Sequence, residues 1–214
     1  MVGEFQQMYI VEKTTPWPHW VIDDFLPKHE FEYLQMLTKN WPKPKDTIDK
    51  LNCRLDWFKF YDQTYKFDDE ATEVRRILKQ SAKRLEKKFD IKNKYKSLHL
   101  EYANCGRDYY YRVHVDAQTK FMSNVLYVSP DGDGTRLFSD KNMNDVVYVD
   151  WKPNRLVSFF VDDYKYHDYY STVDDRITFN ICFMNSSINS KNPPKRFEGG
   201  DVLTLRDIYN NESI

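Results

Sequence analysis

From about residue 97 the hydrophobic period of this 214-residue chain falls to two, and it stays there to about residue 184. The segments "SLHLEYA", "YYYRVHVD", "FMSNVLYVS", "TRLFS", "DVVYVDW", "NRLVSFFV", a short piece around "YKYHD" and "DRITFNICFM" follow in succession, each bounded by turn-forming residues. Side chains at i and i+2 of a strand share a face, so this alternation marks strands with one apolar side. Eight short strands with no helix between them predict a mainly β sandwich or jelly roll.

The first ninety-five residues read differently. "PWPHWVIDDFLPKHEFEYLQMLTKNWP" predicts a strand over His19 to Ile22 and then a helix, with Pro27 at its start, Phe31, Leu34 and Leu37 on one face and Pro42 beyond its end. A loop is expected over residues 42 to 52, and "CRLDWFKFYD" could form a strand. The clearest helix covers residues 69 to 89, where Val74, Ile77, Leu78, Ala82, Leu85 and Phe89 recur at helical spacing. Its acidic first turn and lysine-rich last turn suit the helix dipole. Residues 1–95 are therefore expected to buttress a β core at 96–185 as part of a single domain 1–214, with 186–214 a polar surface extension.

Bulk properties exclude several classes. Lys and Arg total 32 against 33 Asp and Glu, a formal charge of −1, so no global field draws the chain to nucleic acid or anionic lipid. The run "KQSAKRLEKKFDIKNKYK" coincides with the exposed face and end of the second helix and reads as a solvated surface. The opening "MVGEFQQMYIVEKTTPWPHW" has neither a basic n-region nor a continuous apolar h-region, which leads to an expectation of a cytoplasmic protein without a membrane span. Three widely spaced cysteines, Cys53, Cys105 and Cys182, argue against a disulfide framework or a structural zinc site.

Within the strand run, "YRVHVD" places His114 and Asp116 two apart, so both can reach one ion while Val113 and Val115 pack behind. Of the five histidines, His167 lies far enough along the β core to return in space. Two histidines and a carboxylate leave coordination positions open, the arrangement of non-haem Fe(II) oxygenases. Arg176 follows nine residues after His167 and opens a strand whose alternation sets Arg176, Thr178, Asn180 and Cys182 on one face and Ile177, Phe179, Ile181 and Phe183 on the other. A buried arginine needs an anionic partner, either a bound dicarboxylate or a neighbour such as Asp174 or Asp175. His99-Leu100-Glu101 is a second His-x-carboxylate pair, but the residue nine after His114 is Ser123, so pairing it with His114 supplies no arginine.

These residues resemble the prolyl-4-hydroxylase-like branch of the 2-oxoglutarate- and Fe(II)-dependent oxygenases. The resemblance rests on "EYANCGRDYYYRVHVD", "NVLYVS", "GDGTRLF", "KPNRLVSFF" and "YHDYYSTVDDR", over roughly residues 98–184, with "PWPHWVIDDFLPKHEFEYL" similar to the family's opening strand and helix. It implies a double-stranded β-helix (jelly roll, cupin-like) with N-terminal helices packed on the major sheet. It implies His114, Asp116 and His167 as iron ligands, and Arg176 and Tyr127 as partners of the far carboxylate of 2-oxoglutarate. Tyr102 is implied near the cosubstrate's other end, with Asn180 and Leu137 lining its pocket. Two positions depart from the pattern: Cys182 stands where a large aromatic is common, and Asp168 directly follows the distal histidine.

The cofactors implied are Fe(II), 2-oxoglutarate and O2, with ascorbate a further candidate. The implied reaction couples decarboxylation of 2-oxoglutarate to hydroxylation of a C–H bond. The expected substrate is a prolyl or other residue of a protein or peptide, with a free amino acid or small metabolite as the alternative. Nucleic acid ranks lower, because "DRITFNICFMNSS" carries Arg176 alone. A jelly-roll binding module without catalysis is the reading from another class. Tyrosines 109–111 and Tyr164, Tyr166, Tyr169 and Tyr170 flank the two histidine segments and could form a substrate rim.

Overall fold

A computed structural model describes residues 9–39, 41, 52–56 and 69–185. Two antiparallel sheets face each other. The larger contains β1 (Tyr9–Lys13), β2 (His19–Asp23), β3 (Asn52–Asp56), β4 (Ser97–Cys105), β6 (Lys120–Tyr127), β9 (Leu156–Phe160) and β11 (Arg176–Met184). Its spatial order is β1-β2-β9-β6-β11-β4-β3. The smaller is built from β5 (Tyr110–His114), β7 (Thr135–Phe138), β8 (Val147–Val149) and β10 (Tyr166–Tyr170), in the order β5-β10-β7-β8. Helices α1 (Lys28–Thr38) and α2 (Asp69–Lys88) cover the outer face of the larger sheet. This is the mainly β jelly roll with supporting helices that the strand run predicts, and all eight expected strands form, as β4 to β11.

The alternation of β11 assigns the two faces. Ile177, Phe179, Ile181 and Phe183 enter the core against Leu34 and Leu37 of α1 and Val74, Ile77, Leu78 and Leu85 of α2. Burying each such side chain contributes about 1.5–3 kcal/mol. Glu30 of α1 ties the helices together by reaching Arg76 and Arg84 of α2. A second apolar cluster of Trp17, Tyr127, Leu137, Val149, Val157 and Phe159 joins the inner faces of the two sheets. Gly134 brings β7 against β8, since a Cβ there would run into the Val149 carbonyl oxygen. "GDGTRLF" thus needs glycine at this close approach.

Two boundaries differ from expectation. β1 lies in the stretch that reads as a polar lead; its edge strand has no apolar alternation, and pairing with β2 makes it a strand. The strand expected in "CRLDWFKFYD" is described over Asn52–Asp56, while its continuation, the loop over 42–51 and the extension from 186 onward lie outside the described residues. Among the described residues, no helix is long and apolar enough to cross a membrane.

Candidate metal and cosubstrate site

His114 ends β5 and His167 sits in β10, and the two are direct register partners. Their ring centroids are 4.2 Å apart. Asp116 falls just beyond the end of β5, yet its carboxylate converges with both histidines, and one ligand atom from each of the three lies within 4.8 Å of the others. Among the described residues this is the one such cluster of three that could hold a metal ion, and His99 and Glu101 are not in it. Glu101 accepts a hydrogen bond from Asn180 on the neighbouring strand.

Hydrogen bonds fix the orientation of all three side chains. His114 Nδ1 lies 2.9 Å from the carbonyl oxygen of Arg112, and His167 Nδ1 lies 3.0 Å from that of Lys165. A carbonyl only accepts, so each Nδ1 donates a proton to it, and Nε2 is the ring nitrogen left to meet a ligand. Ser123 donates to one oxygen of Asp116, and Lys120 donates to the other and pairs with it. Burial and the adjacent His167 push His114 down to about 3, so it is neutral over the physiological range. Burial pulls the Asp116 carboxyl up, but the adjacent Lys120 ammonium outweighs it and holds the group below the usual carboxylate range. Two imidazoles and a carboxylate form a donor set that fits a divalent transition metal.

Arg176 closes the far end of the same cavity. It is 1% exposed, and its Nε donates to the carbonyl oxygen of Asp133 at 2.7 Å. Tyr169 lies against the guanidinium with its centroid 4.1 Å from Cζ, and Trp151 lies at 5.1 Å. Nη2 is buried with no hydrogen-bond partner among the described residues. Asp174 pairs with Arg107, and Asp175 accepts from Asn104. An orphaned guanidinium nitrogen in an aromatic box is expensive unless an anion completes it.

The other expected pocket residues divide. Tyr127 stands 5.8 Å from the Arg176 guanidinium, and its hydroxyl meets Thr135 Oγ1 at 2.7 Å. Burial pushes this phenol up, so it stays protonated. Asn180 and Cys182 line the cavity, and burial pushes the Cys182 thiol up to about 11. Leu137 is the register partner of His167 but packs in the apolar cluster with Tyr127, one layer behind the cavity wall.

Tyr102 requires a correction. It is the register partner of Phe179 and packs between Phe179 and Trp41 on the helix-covered face, away from the cavity. Alternation along β4 and β11 forces this, because cross-strand partners share a face.

Lys120, Ser123, Thr135 and Tyr169 were not singled out individually from sequence as parts of this cavity. Tyr169 had a signal in the tyrosines flanking the histidine segments. Lys120 and Ser123 had none, since neither their distance from Asp116 nor their residue type is distinctive.

No protein-family model and no curated protein sequence matches the chain significantly. Solved structures do match. A Pseudomonas putida prolyl-4-hydroxylase aligns at TM-score 0.55 and 15% identity, over 79% of this chain and 93% of that one. A Trichoplax adhaerens prolyl hydroxylase, in complex with a hypoxia inducible factor oxygen degradation domain peptide fragment, aligns at 0.56 and 16%, over 78% and 83%. An oxidoreductase of the 2OG-Fe(II) oxygenase family from Burkholderia pseudomallei aligns at 0.57 and 9%, over 78% and 84%. At these identities the shared property is the fold, and the family resemblance read from the motifs falls on the same group of proteins.

Proposed function

We propose that this protein is a 2-oxoglutarate- and Fe(II)-dependent oxygenase that hydroxylates an unactivated C–H bond of a prolyl or other residue in a peptide. One observation carries the reading: a single cavity is lined by two imidazoles and a carboxylate and by a buried guanidinium with a nitrogen that has no hydrogen-bond partner among the described residues. A small dicarboxylate complements both ends. His114, Asp116 and His167 would hold the metal, and Arg176 would hold the far carboxylate. When bound, Fe(II) with 2-oxoglutarate and O2 supplies the oxidising chemistry. Ascorbate remains a candidate accessory reductant.

The chain's own residues then have distinct tasks. The Nδ1 bonds of the histidines and the Ser123 and Lys120 bonds of Asp116 preset the ligand lone pairs. Tyr169, Trp151 and Tyr127 surround the Arg176 guanidinium and exclude water, which strengthens its attraction for a carboxylate. Tyr111, stacked on Tyr169 at 5.3 Å and edge-on to His114 at 4.6 Å, gives the metal end an aromatic wall against which a proline ring can pack. The peptide in the Trichoplax enzyme supports the same substrate class.

Anaerobic addition of Fe(II) and 2-oxoglutarate should produce a visible metal-to-ligand charge-transfer band. Its absence would sink the oxygenase reading, and its persistence in His114→Ala would sink the ligand assignment. Incubation with proline-containing peptides, and in parallel with free amino acids, should give a peptide product heavier by one oxygen. A product from free amino acids only would move the substrate to the small-molecule class.

A further inference from the structure

The face of the smaller sheet turned away from the cavity carries one polar chain that crosses β5, β10 and β7 in spatial order. Tyr110 of β5 donates to Asp168 Oδ2 of β10 at 2.8 Å. Arg136 of β7 grips both oxygens of Asp168 from Nε and Nη2, at 2.7 and 2.6 Å. Asp168 is fully buried, and the Arg136 guanidinium lies 5.3 to 5.9 Å from the rings of Tyr170, Phe138 and Tyr110. Asp168 and Arg136 are register partners, as are Arg136 and Tyr148. On the β5 side, however, the register shifts between His167 and Tyr169, so that Asp168 alone stands opposite two residues of β5, Arg112 and Val113. Bulges of this kind re-aim neighbouring side chains and loosen local pairing. This one directly follows His167.

We infer that Asp168 is a positioning residue for the metal site. Clamped by Arg136 and Tyr110, it bridges the bulge through side chains and fixes where His167 meets His114. The residue that departs from the family pattern in sequence thereby acquires a task. A buried ion pair adds little net stability over an apolar pair of equal size, whereas it does enforce one arrangement of the strands that carry it. The inference rests on the metal reading of the three convergent side chains.

The test is a Co(II) titration of the full chain, followed by its visible absorption without 2-oxoglutarate, with the melting temperature measured on the same samples. Asp168→Ala should weaken Co(II) binding by about tenfold or more, the range for residues that orient metal ligands. Tyr110→Phe, which removes one hydrogen bond and keeps the ion pair, should fold in any case and weaken binding by about threefold. Leu85→Ala, a core truncation in α2, should lower the melting temperature comparably and leave Co(II) affinity unchanged. Unchanged affinity in folded Asp168→Ala, or in Tyr110→Phe if the former does not fold, overturns the clamp while wild-type binding keeps the metal reading. Failure of the wild-type chain to bind Co(II) overturns both.

Discussion

Two arginines, Arg136 half-buried and Arg176 fully buried, flank β10, and the protein treats them in opposite ways. Arg136 on the outer face has its charge answered within the chain by the two oxygens of Asp168. Arg176 on the inner side has one backbone carbonyl, three aromatic rings and an Nη2 with no partner among the described residues. A charge that serves the scaffold is closed by the scaffold, while one left open inside a cavity marks the place of a ligand. Partner count therefore separates the two roles where residue type does not.

The comparison breaks most readily at Arg176. Arg176→Met should reduce affinity for 2-oxoglutarate by about 2–5 kcal/mol, roughly thirtyfold to several-thousandfold, read by titrating the charge-transfer band. The same variant should melt no lower than wild type in the absence of ligand, because an incompletely answered charge has been removed. An unligated melting temperature well below wild type would place Arg176 with Arg136 as a scaffold residue. Arg136→Met should behave in reverse, losing about 3–5 kcal/mol of stability in urea denaturation because it strands Asp168. Arg136→Met combined with Asp168→Leu should recover much of that loss.

Acid provides a third probe, directed at the histidines. His114 titrates near 6.5 when unfolded and at about 3 in the fold, chiefly through burial and then through His167. Its neutral form is the one the fold accommodates. Its contribution to stability is complete above about pH 6.5 and is lost as pH falls toward 3. The urea midpoint of the metal-free protein should fall across that window, and less steeply in His114→Asn. The smallest effect belongs to Tyr127→Phe, which deprives Thr135 of its hydroxyl partner. It should weaken 2-oxoglutarate binding by about 1 kcal/mol, resolved in the same titration.

Legibility in the sequence followed the range of the interactions. The face shared by Arg176, Thr178, Asn180 and Cys182 could be read directly, because strand alternation is set by neighbouring residues. The helix at 69–89 was legible for the same reason, forming as Asp69–Lys88. β1 escaped, since the apolar residues of this edge strand, Tyr9, Ile10 and Val11, run consecutively and show no period to read. Tyr102 was drawn to the site by a motif, while its strand partner Phe179 holds it in the helix-side core. No local pattern in one strand reveals which face of a second strand it will meet.

The sequence alone thus determined the strands, their apolar faces and the small set of histidines and carboxylates from which a metal site could be drawn. Tertiary structure alone decided that Lys120 and Ser123 orient Asp116, that Asp168 turns outward to Arg136, and that a buried nitrogen of Arg176 finds no partner among the described residues. Alternation is a property of the local backbone and is written in consecutive residues. Partnership depends on the register between strands distant in sequence, such as the 32 residues separating Arg136 from Asp168, and packing sets that register only when the whole sheet closes.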